Sequence, residues 1–203
     1  LHGSTWLVMR TDADVAQRSA NIGRGVALLL SLAFALAGII VWQSIDGYLV
    51  VSTIDTMGQA QPTMKEVTTG AGAWLTNYNA SPLLWLVPAI GLLAPLLVAF
   101  LLGLKNKSTS VKVTAFVGSS VSIMSIILTA GIAMFPFVMP SSSQPNHSLL
   151  MWDTVSSEGT LGLMFIVVAV FIPVIIAYTL WCYKKMWRTV TIAEIEQNKH
   201  SAY

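Results

Sequence analysis

Four long stretches without a single charged residue constrain this sequence more than any other feature. They cover residues 25–45, 83–104, 113–135 and 161–183. A helix needs about 20 mostly apolar residues to cross the hydrocarbon core of a bilayer, so each stretch predicts one membrane span. Only 10% of the residues are charged, whereas soluble domains have about 25%. We therefore predict an all-α integral membrane fold, built as a four-transmembrane-helix bundle.

The basic residues predict how these spans are oriented. Ten of the eleven Lys and Arg residues lie before residue 25, between residues 104 and 113, or after residue 183, and only Lys65 lies in the other connections. Short loops rich in Lys and Arg stay on the cytoplasmic side. We therefore expect both termini in the cytoplasm, outer loops at 46–82 and 136–160, and a cytoplasmic tail at 184–203. Residues 1–24 would be the end of a preceding span and a cytoplasmic connection.

Two capping-box patterns predict short helices outside the spans. The first is Thr63 with Glu66, which predicts a helix through Trp74 that lies on the membrane surface. The second is Thr191 with Glu194, which predicts a tail helix ending near 198.

Acidic, basic and histidine side chains are missing from the four predicted spans. The spans contain no Asp, Glu, Lys, Arg or His, and the three histidines are widely separated, with His2 expected at a cytoplasmic edge. Buried ionisable groups are what proton relays and ion sites use inside membranes. We therefore expect no catalytic residue, no metal site and no haem bound by this chain. A formal net charge of +2 also gives no basic surface for nucleic acid.

One face of the third span has small and hydroxyl side chains. Gly118, Ser122, Ser125 and Thr129 follow at spacings of four, three and four residues, which aligns them on a helix. The simpler interpretation is close helix packing, with hydroxyls bonding across the interface. The alternative is a chain of hydroxyls and water that carries protons.

The outer end of the first span offers a candidate ligand site. Asp46 and Tyr48 follow the span directly and place a carboxylate and a phenol at the membrane edge. If a cavity lies between the first two spans, Trp42 and Trp85 would form its apolar walls. Such a pocket, apolar with a few polar groups, suits a quinone.

Several motifs resemble one family, subunit II of the cytochrome bd-type quinol oxidases. The most specific is the block at residues 129–142, and further matches lie at residues 45–48, 65–75, 151–157, 178–183 and 200–203. Members of this family are about twice as long and consist of two four-helix units. The chain resembles the C-terminal half, the second of the two units, and residues 2–6 resemble the tail of the fourth span.

The resemblance implies a haem-free subunit of a respiratory enzyme in the bacterial inner membrane that oxidises quinol and reduces dioxygen to water. Haems b and d would be held by the partner subunit, and this chain would support assembly and access of protons or oxygen, or hold a structural quinone. The implied partners are oxidase subunit I, the N-terminal half of subunit II, small single-span subunits and membrane lipid. A membrane scaffold or assembly protein, or half of a secondary transporter, is the alternative.

Overall fold

The computed structural model describes residues 1–53, 64–105, 107–187 and 191. Four of its helices are long and apolar enough to cross a membrane, which confirms the predicted spans. They are α2 (Ala13–Ser44), α4 (Leu86–Gly103), α5 (Thr109–Met134) and α6 (Glu158–Lys185). The chain is therefore a multi-pass membrane protein.

Two shorter helices and two small sheets complete the described fold. Helix α1 (His2–Arg10) precedes the first span, and α3 (Thr76–Ala80) lies between the first two, flanked by 3-10 turns at Ala73–Leu75 and Pro82–Trp85. Strands β1 (Asp46–Val50) and β2 (Val67–Ala71) pair antiparallel, as do β3 (Phe137–Met139) and β4 (Leu149–Leu150). A third 3-10 turn covers Pro145–His147.

Helices α1, α2, α4 and α5 pack against one another, and we call them the packed bundle. Its buried core consists of small and medium apolar side chains, Val8, Ala20, Val98, Leu102 and Ala115. A Cβ atom at Gly118 would lie 3.0 Å from Val98 Cγ2, so the glycine allows α4 and α5 to approach closely. The predicted span count is thus confirmed, but α1 rather than α6 is the fourth helix of the packed bundle.

Helix α6 stands apart from the packed bundle. Every one of its residues is exposed except Cys182, which is half-buried. Its contact with α1 lies at the end where the basic residues gather, which we call the basic end. There the Arg10 guanidinium stacks on Trp187, 3.8 Å from the ring centroid, and Trp6 meets Tyr183 edge-on at 5.4 Å.

The two sheets lie together at the opposite end, which we call the hairpin end. Val67, Phe137 and Leu150 form a buried cluster between the sheets. Lys65 Nζ lies 2.6 Å from Asp153 Oδ2, and both side chains are almost fully buried. Isolated two-stranded sheets are marginal in stability, so this cluster and ion pair hold each hairpin against the other.

One predicted helix is wrong, and another lies outside the described residues. The segment expected to run helically through Trp74 forms strand β2 over Val67–Ala71 and then a single 3-10 turn. Pairing of β2 with β1 satisfies the backbone groups that a helix would otherwise satisfy, and Thr68 and Thr69 have the β-branched side chains that favour strands. The tail helix expected after Thr191 falls on residues that the structure does not describe.

Candidate functional site

An apolar cavity of about 580 Å³ lies between α2, α4 and α5 at the hairpin end. Residues from all three helices and from the segment 75–85 form its wall. They are Phe34, Ala35, Ala37, Gly38, Ile39, Val41, Trp42, Leu75, Tyr78, Trp85, Pro88, Ala89, Leu92, Ile126, Thr129, Ala130 and Ala133.

The cavity exists because small residues face one another where the helices separate. Ala35 and Gly38 on α2 lie opposite Ala130 and Ala133 on α5, so their side chains leave the interhelical space unfilled. Further toward the basic end, Ala27 and Ser31 on α2 are buried, at 0% and 4% exposure. One helix therefore packs tightly at its basic half and lines a cavity at its hairpin half.

Tyr78 is the most deeply buried side chain of the cavity wall. It is 1% exposed, its ring lies 5.1 Å from that of Trp85, and its hydroxyl donates to Thr129 O at 2.7 Å. The Thr129 hydroxyl in turn donates to Ser125 O at 2.7 Å. Burial raises the pKa of the Tyr78 phenol, and its hydrogen bond with Thr129 opposes that rise. The hydroxyls of Tyr78 and Thr129 thus donate their protons to backbone carbonyls of this chain.

The four residues predicted for a quinone pocket separate into two pairs. Trp42 and Trp85 line the cavity. Asp46 begins β1 and is exposed, while the Tyr48 hydroxyl donates to Ser141 O at 3.0 Å. Neither Asp46 nor Tyr48 is among the cavity-lining residues, because β1 turns away from α2 and joins the hairpins.

Tyr78 was not predicted from the sequence as a member of the site. Its position depends on the segment from Ala73 to Trp85 folding back over the end of the packed bundle. Asn77 fixes this segment, because its side-chain amide donates to Ile132 O at 2.8 Å and to Phe135 O at 2.7 Å. A signal was nevertheless present, since three aromatic residues, Trp74, Tyr78 and Trp85, recur within this segment.

The polar face predicted on α5 is directed into the packed bundle over most of its length. Ser122 and Ser125 are 0% and 4% exposed, and Thr129 is half-buried at the cavity. Ser119, which the prediction omitted, is 1% exposed on the same side of the helix. The Ser122 hydroxyl has no hydrogen-bond partner within the described part of the chain.

His2, which the sequence placed at a cytoplasmic edge, lies against α5. It belongs to α1, and its Nδ1 lies 2.8 Å from Ser119 Oγ on α5. Its ring stacks on Phe116 at 4.6 Å. Among the described residues, no three His, Cys, Asp or Glu side chains are grouped to hold a metal ion.

Comparison with known proteins identifies the family. The family model for cytochrome bd terminal oxidase subunit II matches residues 1–186. Cytochrome bd-I ubiquinol oxidase subunit 2 of Escherichia coli is 48% identical over 201 residues, which are 99% of this chain and 52% of that protein. A probable cytochrome oxidase subunit 2 of Haemophilus influenzae is 43% identical over 202 residues, 100% of this chain and 52% of that protein. The chain thus spans about half the length of these relatives, and it belongs to the cytochrome bd terminal oxidase subunit II family.

Proposed function

We propose that this chain is the C-terminal half of a haem-free subunit of a cytochrome bd-type quinol oxidase in a bacterial inner membrane. The complex oxidises two quinols and reduces one dioxygen to two waters, with haems b and d in subunit I. The observation that carries this proposal is the family match over residues 1–186. The basic residues at one end of the helices support an orientation with both termini in the cytoplasm.

The part of this chain in that complex is structural, and α6 is its docking element for subunit I. A helix that is apolar on all sides is either surrounded by lipid or buried against other helices. Nearly all of α6 is exposed, so its surface is available to a second subunit. A Cβ atom added at Gly159 or Gly162 on α6 would meet nothing within 4 Å, which leaves room for a neighbouring helix.

The cavity at the hairpin end accommodates a structural quinone through its isoprenoid tail. Apolar side chains make up nearly all of the wall, and the hydroxyls of Tyr78 and Thr129 already donate to backbone carbonyls. Trp42 and Trp85 would contact the quinone as apolar walls. Asp46 and Tyr48 lie outside this wall, so they would act on the ring only if it extended toward the hairpins.

A substitution at Gly38 tests the cavity as the quinone site. A Cβ atom at Gly38 would meet nothing within 4 Å. Gly38→Leu therefore fills part of the cavity with a side chain and causes no backbone clash. We expect the purified complex to lose most of its co-purified quinone and to retain its haem spectrum. Gly131→Leu is the matched control, because Gly131 is equally unobstructed but is not among the cavity-lining residues. Equal quinone content in wild type and Gly38→Leu would contradict the cavity as the site.

Asp46→Asn tests the polar half of the predicted pocket. The substitution preserves volume and removes the charge of an exposed side chain. We expect unchanged quinone content and a change in stability below about 0.5 kcal/mol. A loss of quinone comparable to that of Gly38→Leu would instead place the headgroup beside Asp46.

A further inference from the structure

We propose that His2, Thr5, Ser119 and Ser122 form a hydrated polar site inside the membrane, with water as the ligand. Thr5, Ser119 and Ser122 are each at most 1% exposed. His2 and Thr5 on α1 meet Ser119 on α5, and Ser122 lies one helical turn further along α5.

The depth of this cluster makes its polarity notable. Ser119 lies six residues beyond Val113, where the charge-free stretch of α5 begins, which places it about 9 Å inside that stretch at 1.5 Å per residue. Ionisable side chains at such depth are costly, and those that occur usually serve ion or proton movement. The Ser119 hydroxyl on α5, 2.8 Å from Nδ1, is a polar neighbour of the imidazole.

The contacts within the cluster outnumber the protons available to form hydrogen bonds. Ser119 Oγ lies 2.7 Å from Phe116 O, 3.0 Å from Thr5 Oγ1 and 2.8 Å from His2 Nδ1. Thr5 Oγ1 also lies 2.8 Å from His2 O. Each hydroxyl has one proton, and Nδ1 has at most one, so these four contacts cannot all be hydrogen bonds at once.

The cluster therefore has two compatible arrangements of its protons. In one, His2 Nδ1–H donates to Ser119, which donates to Phe116 O. In the other, Thr5 donates to Ser119, which donates to an unprotonated Nδ1. Interconversion of these arrangements takes rotation of the two hydroxyls together with transfer of the Nδ1 proton, either to water or to Nε2 of the same ring, and it does not require the helices to move.

Ser122 supplies the independent indication of a ligand. It lies one helical turn from Ser119, is 0% exposed, and has no hydrogen-bond partner among the described residues. A buried hydroxyl without a partner is costly, and bound water is the usual way in which proteins satisfy such groups. A water molecule here would connect Ser122 to the hydroxyls of the cluster.

The direction in which Ser122→Ala shifts the thermal midpoint of the complex shows whether water is bound to the Ser122 hydroxyl. If water bonds the hydroxyl, Ser122→Ala removes one partner of that water, and the thermal midpoint of the intact complex falls by about 2 °C. If the hydroxyl is dry and unsatisfied, Ser122→Ala removes a buried penalty and the midpoint rises. A rise or an unchanged midpoint overturns the proposal.

Hydroxyl-radical footprinting of the same complex tests for the water directly. X-ray radiolysis of bound water labels the side chains beside it, so we expect labelling of His2 and Phe116, reduced several-fold in Ser122→Ala. Ser31→Ala is the matched control: Ser31 is also buried, but its hydroxyl donates to Leu92 O at 3.2 Å. The control should leave the labelling of His2 and Phe116 unchanged. Equal labelling in wild type and Ser122→Ala would contradict the proposal.

Discussion

The packed bundle and α6 both contain helices that are apolar enough to cross a membrane, but the side chains on their surfaces differ in size. Helix α5 has a continuous face of small and hydroxyl residues, and that face is buried against α1 and α4. Helix α6 has bulky aliphatic and aromatic side chains around its whole circumference, and almost none are buried. Lipid tails are as apolar as leucine, so apolarity alone does not bring helices together in a membrane. Small residues bring helices together because they let the backbones approach closely, and hydroxyl side chains do so by hydrogen bonding across the interface.

A Leu→Ala substitution is expected to change the free energy of unfolding far more in the packed bundle than in α6, and this is the largest difference that we predict. Leu102 is 3% exposed in the core of the packed bundle, and Leu163 is 65% exposed on α6. Leu102→Ala leaves a cavity and should lower the free energy of unfolding by about 3 kcal/mol. In the chain separated from subunit I, Leu163→Ala should change it by less than about 0.5 kcal/mol. Thermal unfolding of the two variants in the same detergent measures the difference, and equal losses would mean that α6 is packed as well.

Enlarging a glycine on α5 tests whether close approach holds the bundle. Gly118→Leu forces a side chain against Val98, where even a Cβ atom would lie at 3.0 Å. We expect a loss of about 2 kcal/mol from overpacking and a lower yield of assembled complex. Gly131→Leu on the same helix meets nothing within 4 Å at its Cβ and is the control. If both variants assemble normally, the small-residue face is not what positions α4 and α5.

Removal of the contact between α1 and α6 should have a smaller effect. Arg10 stacks on Trp187 and Trp6 at 3.8 and 5.0 Å, and its Nη1 donates to Trp187 O. Arg10→Met retains an apolar stem and removes the cation–π contacts, at a cost of about 1 kcal/mol.

Limited trypsin cleavage measures that effect. Cleavage after Lys184 and Lys185 should accelerate several-fold in Arg10→Met, because the end of α6 is released. Arg18→Met removes an equally basic but exposed residue of α2 and should leave the rate unchanged. Identical rates in wild type and Arg10→Met would show that other contacts fix the position of α6.

The spans could be predicted from the sequence because a membrane helix must satisfy its own backbone hydrogen bonds, which makes length and apolarity sufficient signals. The packing of those spans could not be predicted in the same way. Which helix joins the bundle depends on contacts between residues far apart in sequence, such as Thr5 with Ser119. The sequence predicted the end of a span within residues 1–24, but it gave no sign that His2 contacts Ser119 on α5.

The candidate site was predictable only in part, for a related reason. Trp42 and Trp85 are in or beside spans whose positions were known, so their place near one cavity followed from the span ends. Asp46 and Tyr48 depended on the direction of the chain after α2, which the pairing of β1 with β2 decides. Tyr78 depended on the fold-back of the segment that contains it, and the aromatic residues that recur in this segment do not by themselves specify that fold-back.

Native-gel electrophoresis of solubilised membranes tests the central claim most directly. The gel is stained for haem, and the subunits of the stained band are identified by mass spectrometry. We predict that this chain co-migrates with the haem stain in the complex and carries no haem once it is separated from its partner under mild denaturation. Recovery of the chain only in bands without haem, or retention of haem by the separated chain, would contradict its assignment as the haem-free subunit of a cytochrome bd-type oxidase.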